Sequence, residues 1–162
     1  MLAADPGASI ASIAAEAGVD RRTVYRRFAS REDLLAAIYA SRLAAVERAI
    51  EDARLREAPV AVALHRYVEN IIAVNRTWPV DLTRMLADEE VRARRDASAH
   101  EVDDFLDRAT AEVFLRPGLP EGWASALLPQ LMHLVSRQLP DLSPARAADV
   151  VVDTLLNGIG AH

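Results

Sequence analysis

Residues 18 to 28 read GVDRRTVYRRF, so four arginines fall within eleven positions of a chain whose formal net charge is −5. Guanidinium groups at this density neutralise phosphates and can read guanine edges bidentately. Thr23 and Tyr25 add hydroxyls, which are good donors to phosphate oxygens. From Asp20 to Arg31 five arginines stand against one aspartate, a local charge near +4. A solvated helix face is the plain reading of any such cluster. On an acidic chain a polyanion partner explains it better.

These side chains share a face only if the stretch is helical. With Val24 at the centre of the buried side, Phe28 and Asp20 fall within about 40° of it at 100° per residue. Arg22 and Arg26 then point nearly opposite, Thr23 and Tyr25 flank that outward face, and Arg21 and Arg27 sit at its shoulders. The mount for this helix is legible upstream. Ser9 to Ala17 reads as a short helix with Ile10, Ile13, Ala14 and Ala17 on one face, and small Ala14 allows a close crossing. Gly18 supplies the left-handed stop and Asp20 the N-cap of the next helix, Arg21 to Phe28. Two short helices joined by a glycine-bearing turn, the second one basic, describe a helix-turn-helix.

The rest of the chain is rich in alanine, leucine, arginine and glutamate and has no alternating β-branched runs, so the expected fold class is all-α. Ser30 caps a long third helix to about Arg54, with Glu32 and Asp33 in its first turn, where the helix dipole favours anions. Pro59 opens another to about Arg76, with Val60, Leu64, Tyr67, Val68, Ile71 and Val74 as its apolar face. A short helix is expected from Asp81 to about Asp88. A long charged helix follows over residues 89–115, then an apolar helix from Trp123 to Leu139. Ser143 caps the last helix, Pro144 takes its first position, and Asn157-Gly158 ends it.

Length and composition bound the function. The 162 residues make one or two small domains, and a 51% hydrophobic content fits a folded globule. With no cysteine, disulfides, thiolate metal sites and cysteine nucleophiles are excluded. Every basic residue is arginine. No apolar run reaches transmembrane length and no signal peptide is visible, so a soluble cytoplasmic protein with no membrane partner is expected. Enzyme signatures are missing: there is no phosphate-binding glycine loop after a strand, His100-Glu101 lacks a second histidine, and no Gly-x-Ser-x-Gly elbow occurs. Asp96, His100 and Asp104 have the i, i+4, i+8 spacing of a metal-binding face, but among so many arginines and acids a solvated face is expected. No metal, cofactor or catalytic residue is assigned.

The stretch SIASIAAEAGVDRRTVYRRFASREDLLAAIY, residues 9–39, resembles the DNA-binding segment of the TetR/AcrR family of transcriptional regulators. The shared pattern is Ile13-Ala14, Ala17-Gly18-Val19, Thr23-x-Tyr25-x-x-Phe28 and Ser30-Arg31-Glu32-x-Leu34. The resemblance implies that Arg21, Arg22, Thr23 and Arg26 face the major groove of a double-stranded DNA operator, while Ser9, Tyr25, Arg27 and Arg31 hold phosphates. Arg22 stands where many members carry a small residue, so no base preference carries over, and Arg27 replaces a common histidine. Of the family's full first helix only Met1 to Asp5 stands here, so residues 1–40 are expected to be a DNA-binding domain truncated at its N-terminus, either because the sequence starts late or because the DNA-binding head is crippled.

Residues 41–162 are then expected to form a helical effector-binding and dimerisation domain. The helices at 123–139 and 149–159 are apolar around more than half their circumference, wider than a one-sided surface helix needs. Trp123, Leu127, Leu128, Val135, Val151, Leu155 and Leu156 are the expected homodimer contacts. A pocket for a small, largely apolar effector is implied by the resemblance, with His65, Tyr67, Val68, Ile71, Trp78, Arg84, Met85, Leu131 and Met132 as its lining. The expected function is a ligand-responsive DNA-binding regulator, most plainly a repressor. The alternative is a helical sensor or protein-interaction module that does not bind DNA.

Overall fold

Helix ends fall where the capping residues place them. The computed structural model of the chain describes residues 9–16, 18–79, 85 and 89–159. Among these the helices are α1 (Ile10–Glu16), α2 (Arg21–Arg27), α3 (Arg31–Ala53), α4 (Val60–Thr77), α5 (Glu89–Ala111), α6 (Trp123–Gln138) and α7 (Pro144–Asn157). Ser30 and Asp33 form a reciprocal capping box at the start of α3, each side chain accepting the other's backbone N–H. Ser143 accepts from Arg146 N, with Pro144 opening α7. The helix expected over 81–88 lies outside the described residues, except for buried Met85.

One helix stops earlier than its sequence suggests. Instead of reaching Leu115, α5 ends at Ala111. Val113 turns left-handed at φ 57°, and the N–H groups of Phe114 and Leu115 both fold back onto the carbonyl of Ala109. Leu115 thereby swings into the core, where it is buried. Burying that side chain favours the turn over another helical turn on the surface, a gain of roughly 1.5–3 kcal/mol.

Helix α4 is the centre of the body. It packs on α3, α6 and α7, while α5 leans on α3 and α6. Its Ala63, Leu64, Val68 and Ile72 are sealed from solvent. Arginines fasten the periphery to this core. Arg76 of α4 donates to the carbonyls of Leu139 and Leu142 just after α6, and Arg108 of α5 donates to those of Leu55 and Ala58 just after α3. Both satisfy carbonyls of the segments that follow those helices, outside the helical ladder. Arg94 of α5 grips both carboxylate oxygens of Glu47 on α3 through its Nε and Nη2, at 2.7–3.1 Å.

The N-terminal helices have a core of their own. Ala14 and Leu34 are buried but stand apart from the main cluster, which begins at Ala49. The two regions are joined by α3, which runs unbroken across residue 40.

Candidate nucleic-acid interface

The turn between α1 and α2 is closed by hydrogen bonds before any ligand is considered. Val19 N donates to Ala14 O at 2.9 Å and Gly18 N to Ala15 O at 3.2 Å, with Gly18 at φ 64°. This paired closure is the Schellman stop, and it requires the left-handed residue that glycine supplies without strain. Asp20 then restarts the chain as a helix. Its Oδ1 accepts from Arg22 N at 2.7 Å and more weakly from Thr23 N at 3.4 Å. Phe28 closes the far end through its N–H to Val24 O.

No residue of α2 is fully buried. Val24 and Phe28 are half-buried beneath it, while Arg21, Arg22, Thr23, Tyr25, Arg26 and Arg27 are all exposed. Arg21, Arg22, Tyr25 and Arg26 line one open recess. The Arg21 guanidinium lies 5.2 Å from the centre of the Tyr25 ring and that of Arg27 5.9 Å from Phe28. These cation–π contacts hold the flexible side chains near the helix without neutralising them. Ser9 is exposed, and its Oγ accepts from Ser12 N at 3.1 Å, so it caps α1. Arg31 is half-buried and engaged within the chain. The surface is thus a preformed ridge of cations and hydroxyls with no acid in its outward face.

The body places the other expected residues less simply. Tyr67, Val68, Ile71 and Met132 come together in the main cluster, with Trp78 and Leu131 packed against it. Met85 is buried too, and Arg84 lies outside the described residues. Burial pushes the Tyr67 hydroxyl up to about 12. His65 is half-buried, with Nε2 3.0 Å from Asp149 Oδ1 of α7 and Nδ1 3.8 Å from Glu69 Oε2.

The expected dimer contacts divide in two. Trp123 and Leu156 are exposed, and Leu127 and Leu155 partly so. Leu128, Val135 and Val151 are buried inside the protomer. Both α6 and α7 use one arc of their wide apolar surface against α4. The outer arc carries Leu134 and Val150, and Leu139 follows α6 as its cap; all three are exposed residues that the expected set omitted. Helical periodicity was the signal that could have found them, once α4 was known to cover the other side.

A glycine-stopped helix, a separately capped basic helix crossing it, and a long third helix leading into a helical body define a DNA-binding regulator of the helix-turn-helix class. Comparison with known proteins narrows this. The model of bacterial regulatory proteins of the tetR family matches residues 6–38. The HTH-type transcriptional repressor LfrR of Mycolicibacterium smegmatis is 34% identical over 98% of this chain and 84% of its own length. The crystal structure of LfrR in complex with proflavine superposes with a TM-score of 0.76 at 30% identity, covering 99% of this chain and 90% of that one. PfmR from Thermus thermophilus shares the fold, with a TM-score of 0.73 at 20% identity over 96% of this chain and 91% of its own. The chain belongs to the TetR family of bacterial regulatory proteins.

Proposed function

We propose that this protein is a transcriptional repressor that binds a palindromic operator as a homodimer and leaves it when a small effector binds the helical body. The observation that carries the reading is the outward face of α2, cationic and free of acids on an otherwise acidic chain. Arg21, Arg22, Thr23 and Arg26 face the major groove; Ser9, Tyr25, Arg27 and Arg31 hold phosphates. The uncovered apolar residues Trp123, Leu134, Leu139, Val150 and Leu156 supply the surface on which a second copy pairs. A two-fold pair sets its reading helices in successive major grooves, about 34–36 Å apart. The kinship with LfrR, a named repressor crystallised with proflavine, supports both the direction of control and a small-molecule effector.

Gel shifts on the operator and on a scrambled duplex test the assignment. Arg22→Ala and Arg26→Ala should relax base preference, each costing about 1–3 kcal/mol on the operator and less on scrambled DNA. Tyr25→Phe and Arg31→Ala should weaken both duplexes alike. Unchanged affinity in all four variants would defeat the groove assignment and favour a helical sensor that does not bind DNA.

A further inference from the structure

Arg42, on the body side of α3, is the only buried charged side chain among the described residues, 8% exposed. Its Nη2 donates to Oδ1 of Asn75 on α4 at 2.8 Å. Its Nε is sealed from solvent and has no acceptor. A guanidinium carries five N–H donors, and the one amide oxygen leaves the sealed Nε–H unanswered. Other arginines of the body have more partners: Arg94 is held by Glu47, and Arg108 and Arg76 each by two backbone carbonyls, although Arg76 Nε is likewise sealed without an acceptor. Burial without a counter-charge holds the Arg42 guanidinium below the ordinary arginine range.

A buried charge is costly unless it is paired and hydrogen-bonded. As a fold element Arg42 is therefore a poor choice, and an apolar side chain would serve the α3–α4 seam better. The position gives it another use. Asn75 lies one turn before Trp78, whose half-buried side chain packs against the main apolar cluster. Cation and amide thus meet across the α3–α4 seam, and the indole follows one turn on at the end of α4. The same α3 begins at the Ser30 capping box, about 18 Å away along the helix, directly after the reading helix.

We propose that Arg42 is the docking point for a carboxylate on an otherwise apolar effector, with Asn75 holding the guanidinium in line. This rests on the effector reading above and names the chemistry of that effector. A carboxylate accepts two parallel N–H bonds from a guanidinium, the pairing that Arg42 lacks. Bound there, the ligand bridges α3 and α4 and so bears on the helix that carries the reading head.

The test uses the full chain and two matched pairs of probes, 1-naphthoate with 1-naphthol and decanoate with decanol, measured by calorimetry and by operator release. At least one acid should bind wild type about tenfold more tightly than its neutral partner, the effect of one charge-assisted pairing. The preference should fall to about one in Arg42→Met and persist in Arg48→Met, which removes an exposed arginine from the same helix. Without ligand, Arg42→Met should melt higher than wild type, because an apolar side chain relieves the unpaired charge. A lower melting temperature for Arg42→Met would make the guanidinium structural and overturn the proposal. So would acids that bind wild type and Arg42→Met equally. If the neutral probes still release the operator in that case, the effector reading survives without Arg42. If none of the four releases it, that reading falls as well.

Discussion

Asp20 acts through a single carboxylate oxygen, which answers two of the first backbone donors of α2. That helix has seven residues and nothing fully buried, so it is far too short to persist by propensity alone. Asp20→Ala should cost about 1 kcal/mol of local helix stability. The loss should appear as weaker binding to every duplex, with the melting of the body unchanged by circular dichroism. Asp149 is the other informative acid. The hydrogen bond from His65 outweighs the opposing cost of burial and, helped by the hydrogen bond from Arg146, holds its carboxyl below the usual aspartate range. A carboxyl depressed in the folded state binds its proton less readily there than in the unfolded chain. Its contribution to stability is therefore full above the ordinary aspartate value of about 4 and is lost as pH falls through the folded value. Urea midpoints of wild type and Asp149→Asn should differ at about pH 5 and converge by about pH 2. A gap that persists in acid would mean that packing, not ionisation, links Asp149 to α4.

At the level of elements, α6 and α7 each bury one apolar arc against α4 and leave other apolar residues exposed. Leu128→Ala opens a cavity against α4 and should lower protomer stability by about 2–5 kcal/mol, read from denaturant unfolding. Leu134→Arg should leave the fold intact and shift the solution mass, by light scattering, from two copies towards one. The contrast shows which features the sequence could reveal. Helix starts were legible because a cap is a local interaction: Asp20, Ser30 and Ser143 each bond to backbone two or three residues on. The Gly18 stop was legible for the same reason. The inward arc of a helix depends on its neighbours, so Leu128, Val135 and Val151 could not be told from Leu134 and Val150 until α4 was in place. The end of α5 was hidden for a related reason. Nothing near Ala111 breaks a helix, and the turn exists because Leu115 has a core to enter. The contact of His65 with Asp149 was not legible because the two lie 84 residues apart.

Over the whole molecule, charge is segregated. The chain carries −5 in total, yet Asp20 to Arg31 alone carries about +4, so the remainder is close to −9. Such a molecule should approach DNA head first, because the acidic body is repelled by the phosphates that attract α2. The attraction is driven by released counterions, so the logarithm of affinity should fall linearly with the logarithm of salt concentration, each phosphate contact adding about 0.9 to the slope. This makes the slope a count of heads on the operator. Arg27 is exposed on the shoulder of α2, and in a two-fold complex its loss removes the same contact twice. Arg27→Ala should therefore reduce the slope by about 1.8 if both subunits grip the duplex, and by about 0.9 if only one does. Filter binding across a range of potassium chloride concentrations measures the difference. A slope lowered by the larger amount would establish two seated heads without a structure of the complex. The smaller amount would overturn the two-fold reading while leaving the phosphate role of Arg27 intact. No change at all would remove Arg27 from the interface.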